Sequence, residues 1–159
     1  MSVRTAPVCR QRGIAAVELA IVLPLLLAIV FGVTELGRAM YQYDALTKAA
    51  RAAARYLSVY DPADADVRAR AVNIAVCGAL SCASAMSVAP GLSSANVSIA
   101  DATSDASLAS VETGQGTIDL VRVTIGAPAT AYAFDPLVPF ITPRIRFGPI
   151  VAVMPQAFF

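Results

Sequence analysis

A chain of 159 residues holds one ordinary domain plus an anchor, and is too short for two well-cored domains. Its hydrophobic fraction of 57% against 14% charged lies on the apolar side of soluble proteins, with the excess gathered near the N-terminus. Arg4, Arg10 and Arg12 precede that excess, so the chain beyond Gly13 is mildly acidic and lacks the basic footprint of a nucleic-acid binder. The absence of histidine removes the commonest general base and the commonest metal ligand.

Residues 1–13, MSVRTAPVCRQRG, form a basic leader with no acid in it, which the positive-inside rule keeps in the cytoplasm. Residues 14–34, IAAVELAIVLPLLLAIVFGVT, carry the single charge of Glu18 and span roughly 30 Å as a helix, enough to cross a bilayer. The C-terminal part then faces outward, although Arg38, Lys48, Arg51 and Arg55 beyond the span weaken the charge asymmetry. Pro24 removes one backbone donor and is expected to bend the span. A core helix of a soluble protein is the bland alternative, but apolarity all round the circumference suits lipid better. A secretory signal peptide also begins basic and continues apolar, yet this run is long and no small-x-small cleavage site comes after it.

Gly13, between basic leader and apolar helix, offers an extended, unobstructed backbone to a membrane protease, or else is a flexible joint. Glu18 sits about 6 Å inside the apolar segment, where an ionisable group is costly without a partner. It either finds a cation, stays protonated or reaches the headgroup layer.

Residues 35–60 continue the helix. Leu36, Ala39, Tyr43, Leu46, Ala50, Ala53, Leu57 and Tyr60 alternate at three and four spacings, a seam for a partner helix or for the protein's own sheet. Extended backward through Gly32, Ile29, Leu25 and Val22, the seam reaches Glu18, subject to the drift of a straight helix.

An external α+β domain is expected over residues 61–159. Asp61 and Pro62 read as N-cap and first position of a second helix, from about Ala63 to Val76. Cys77 and Cys82 then bound a short loop that closes as a disulfide if this part is exported, whereas two thiols without histidine make a poor metal site. Weak strands are expected around Asn96 to Ala100 and Ser107 to Glu112. Gly114-Gln115-Gly116 reads as a turn into the best strand, Thr117 to Ile125, and a last strand runs from about Ile150 to Met154. Asp101, Asp105, Glu112, Asp119 and Asp135 show no acid/base spacing and the serines have no histidine partner, so no catalytic residue, enzyme activity or cofactor is expected.

Gly13, Ala16-Val17-Glu18, Leu23-Pro24 and Glu35-Leu36-Gly37-Arg38 together resemble the N-terminal signature of TadE-like minor pseudopilins of the tight-adherence (Tad) pilus system. Leu19 stands where that family more often has an aromatic residue. The resemblance implies a pilin-like plan: one long helix, a short second helix and a small antiparallel sheet. It also implies cutting by a prepilin peptidase after Gly13, which leaves Ile14 as the first residue with a free amine. Glu18 would then be an assembly residue, paired with such an amine on a neighbour. The partners implied are the inner membrane, the peptidase, other pilin-like subunits and the Tad secretion machinery. From a different class, an uncleaved membrane-anchored binding or scaffold module is the alternative.

Overall fold

The computed structural model describes residues 12–82, 87–114, 116–139 and 143–157; most of the basic leader, with Cys9, lies outside them. The architecture is α+β, with helix α1 at Arg12–Val59, helix α2 at Ala65–Cys77, and short antiparallel strands thereafter. At 48 residues α1 is about 70 Å long and passes through Pro24 unbroken. Its alanine-rich stretch, Lys48 to Arg55, favours helix and keeps the packed side small. The helix ends where Val59 and Tyr60 meet Asp61-Pro62, because the residue before a proline is pushed out of the α region.

The expected capping of the second helix is off by one turn. Asp64, not Asp61, is the N-cap of α2 and accepts from the Asp66 amide, while Asp61 accepts from Ala63 N at 2.8 Å and shapes the turn ahead of it. Both aspartates do the same local job, and only the second leads into a helix. Gly78 closes α2 in the left-handed region at φ 72°, its amide bonded to the Ile74 carbonyl at 2.9 Å.

Strands β1 (Val97–Ala100), β4 (Leu120–Ile125) and β7 (Ile150–Pro155) form the main sheet in the order β1-β4-β7. Two hairpins stand apart from it, one pairing β2 (Val111–Thr113) with β3 (Gly116–Ile118) and the other β5 (Ala133–Phe134) with β6 (Ile145–Arg146). The single strand expected over Thr117 to Ile125 is therefore split at Asp119. That residue's carboxylate takes the Ser110 amide at 2.7 Å, while its carbonyl takes the Gln156 amide at 2.8 Å in continuation of the β4–β7 register, so Asp119 is where the chain passes from one pairing to the other. Of the stretch Ser107 to Glu112 only its end is strand; Ala106–Leu108 is a 3₁₀ turn capped by Asp105.

Val121, Val123 and Ile125 point inward from β4, as alternation predicts, and Ile150 and Ala152 join them from β7. Across this layer lie Leu46, Ala50, Ala53 and Leu57 of α1 and Ala71 and Ala75 of α2. The distal half of α1 is thus the core helix of the α+β domain itself. Gly126, at φ 76°, ends β4 under Tyr132, where a Cβ would come within 3.1 Å of the Tyr132 amide. Ala157 N donates to the Ser58 carbonyl at 2.7 Å, which ties the strand after β7 back to the end of α1.

Asp101, fully buried, joins α2 to the sheet. It accepts from Arg68 Nη2 at 2.8 Å and from Ser104 N at 3.0 Å. Burial alone would raise its pKa, but hydrogen bonds from Ser104, Arg68 and Thr103 outweigh it and hold the group at about 2. With the value depressed, the contribution is complete above the ordinary carboxylate pKa of 3.8 and is lost as pH falls toward about 2. Asp101→Asn is expected to cost about 2 kcal/mol at neutral pH, and to flatten the acid limb of stability measured by urea unfolding of the detergent-solubilised chain.

Candidate functional site

The residues singled out by sequence lie in two separate places. Gly13 sits in the first turn of α1 and not in an extended segment, and a Cβ built on it meets nothing within 4 Å. Ile14 comes next, 62% exposed, and four residues on, one helical turn away and on nearly the same side, stands Glu18. Glu18 is exposed and has no ion-pair partner among the described residues. From Gly13 to Phe31 not one side chain is buried, although nearly all are apolar. A stretch of this length and composition is able to cross a membrane, and a single N-terminal apolar helix fits a membrane-anchored protein.

Cys77 and Cys82 are joined by a disulfide with Cα atoms 5.9 Å apart, Cys77 as the last residue of α2 and Cys82 beyond its C-cap Gly78. This pair lies far along the chain from Gly13 and Glu18 and shares no contact with them that would make one site.

Immediately after the apolar stretch lies a junction that the spacing pattern misses. The expected seam positions Leu36 and Tyr43 are 57% and 50% exposed, and Tyr60 is half exposed as well. The buried line instead runs Glu35, Ala39, Gln42, Leu46, Ala50, Ala53, Leu57, so two polar residues occupy places that a hydrophobic count passes over. With 3.6 residues per turn, Glu18 falls roughly a quarter turn away from Glu35, so drift separates it from this face.

Both polar residues find partners about ninety or more positions away. One carboxylate oxygen of Glu35 accepts the Leu137 amide at 3.0 Å and the other accepts from Arg38 Nη1 at 2.8 Å. The Arg38 guanidinium lies 5.4 Å from the centroid of the buried Phe134 ring. Gln42 meets the Tyr132 hydroxyl at 3.0 Å, and the same hydroxyl lies 2.7 Å from the Pro90 carbonyl. A phenol has one proton, so its shorter bond to Pro90 is the donated one, and the Gln42 amide group is best turned to donate to the phenol oxygen. Burial, with the nearby Asp135 charge, raises the Tyr132 pKa and keeps that proton in place. Tyr132 also stacks on Phe147, which takes the edge of Tyr43 at 5.6 Å. The β5–β6 hairpin is thereby clamped to α1 immediately after the apolar stretch. The one sequence cue is Glu35 and Arg38, an acid and a base one turn apart at the end of the span.

This arrangement has the makings of a rigid rod with a domain mounted on its distal half, and its proximal half is left entirely uncovered. The family model described as TadE-like protein matches residues 13–55, a little over a quarter of the chain, all of them within α1. No curated protein and no solved structure matches the chain.

Proposed function

We propose, from the premise that residues 13–55 are those of a TadE-like helix, that this chain is a minor pseudopilin, a structural and assembly component of a Tad-type pilus and not an enzyme. The observation that carries the reading is the uncovered apolar half of α1, bearing one carboxylate, inside the matched segment. Such a helix is unstable in water by itself and is satisfied first by a bilayer and then by the equivalent helices of neighbouring subunits. In this reading the leader stays in the cytoplasm, the external domain lies beyond the inner membrane, and a prepilin peptidase removes the leader after Gly13. The Cys77–Cys82 bond then forms in an oxidising compartment and the leader's Cys9 is lost.

Processing has a direct test. The intact mass of the purified mature chain should start at Ile14, and the same sample taken without reductant reports whether the two remaining cysteines are oxidised. Gly13→Leu should make the precursor accumulate, seen as a larger band in membranes. The replaced side chain meets nothing in the fold, so loss of cleavage in a normally folded chain isolates the protease step. A full-length leader in cells with active peptidase would instead favour the uncleaved anchored module.

A further inference from the structure

Leu137, at 74% exposure, is the most exposed large apolar side chain outside α1 among the described residues. Its place is set by its own backbone: the Leu137 amide is held by Glu35, the residue directly after the apolar stretch that ends at Thr34. The hairpin clamp of Phe134 and Arg38 fixes the chain on one side of it. Pro136 to Pro139 carries no charge, and two prolines stiffen it. The apolar surface of α1 does not stop at Thr34 either, for Leu36, Met40 and Tyr41 are 57%, 66% and 75% exposed. Loop and helix therefore present apolar side chains together, in continuity with the uncovered half of α1.

From this juxtaposition we propose a second membrane contact: the Pro136–Pro139 loop rests in the headgroup boundary of the bilayer that α1 crosses, with Leu137 inserted beside Leu36 and Tyr41. The inference builds on the membrane-spanning reading of α1. Tyrosine suits that depth because its ring is apolar and its hydroxyl wet. Of the neighbouring cations, Arg38 and Arg144 are each paired with an acid of this chain, Glu35 and Asp135, and Arg146 on β6 is exposed with no ion pair among the described residues. Apolar insertion of Leu137 is the recognising force, and zwitterionic phosphatidylcholine, which offers no net charge to Arg146, is a sufficient partner. Held at two points, the domain cannot swing freely about the helix, and leaving the membrane requires withdrawing both.

The full chain, with Cys9 replaced by serine and the Cys77–Cys82 bond intact, carries an environment-sensitive dye at Leu137→Cys, Ile29→Cys or Val59→Cys, one at a time. Each is reconstituted at low density in phosphatidylcholine vesicles containing a quencher either near the headgroup or deep in the acyl chains. The dye at position 137 should lose emission to the shallow quencher, the dye at 29 to the deep one, and the dye at 59 to neither. If position 137 behaves like 59 while 29 is quenched, the loop contact is wrong and the span stands. If 29 escapes the deep quencher, the spanning reading fails and the loop contact falls with it. If position 137 is shielded only as protein density rises, a neighbouring chain covers the loop and the lipid contact is overturned.

Discussion

Glu18→Ala is expected to leave membrane insertion, leader removal and the Cys77–Cys82 bond as they are, and to abolish copurification with pilin-like subunits and pilus-dependent adhesion. The expectation rests on where the carboxylate stands. It is exposed on a helix half that buries nothing, so its removal takes no contact from the external domain. In the bilayer that exposure is to lipid, and a lone carboxylate there needs a cation or a proton. In the proposed processing, leader removal would leave an amine at Ile14, one turn away on the same chain. A staggered neighbour that offers its amine satisfies both charges and sets the register between two helices. Glu18→Asp keeps the charge with a shorter reach and should fall between parent and alanine variant. Normal pili and adhesion in Glu18→Ala cells would show the glutamate to be a tolerated residue at the membrane edge.

Leu57→Ala should do the opposite, disrupting the α+β domain without touching the apolar half of α1. Leu57 is completely buried in the core that α1 forms with α2 and the sheet, together with Leu46, the alanines of both helices, and Val121, Val123 and Ile125 of β4. Truncating a buried leucine costs about 2–5 kcal/mol, because the cavity closes only partly. That is a large share of the roughly 5–15 kcal/mol typical of a whole domain. The chain has no tryptophan and five tyrosines, so urea unfolding of the solubilised protein is best monitored by tyrosine near-UV circular dichroism. Leu25→Ala, at a position 65% exposed within the span, removes the same atoms and should leave the midpoint unchanged. Equal effects at both positions would mean that the distal half of α1 is not the domain's own core.

The contrast between these two leucines is only half legible in sequence. Uniform apolarity over residues 14–34 and the amphipathic spacing beyond are local properties, and both predict one helix whose two halves have different surroundings. Spacing alone places the seam's hydrophobic members Ala39, Leu46, Ala50, Ala53 and Leu57 correctly. Their cover, a partner helix or the protein's own sheet, is open in sequence, and β4 and β7 decide it. A count of apolar residues sends Glu35 and Gln42 to solvent and puts Leu36 and Tyr43 on the seam. The structure buries the polar pair, since Leu137 N, Arg38 and the Tyr132 hydroxyl supply the hydrogen bonds that offset the cost of burial.

The strands divide the same way. Alternation in Leu120 to Ile125 marks the central strand and its inner face before any partner is known, because side chains alternate along any strand. The break at Asp119 and the order β1-β4-β7 depend on the Ser110 amide that the Asp119 carboxylate holds and on pairings between segments far apart in the chain. By itself, then, the sequence determined the long helix, its exposed apolar half with Gly13 and Glu18, the second helix and the α+β class. All of these arise from periodicity and composition within a few turns of chain. Only the tertiary structure decided which side of the helix is buried, that Glu35 and Gln42 anchor the β5–β6 hairpin, and that Leu137 stands beside the end of the span. Those depend on which distant donors reach which buried acceptors, and no local pattern encodes that.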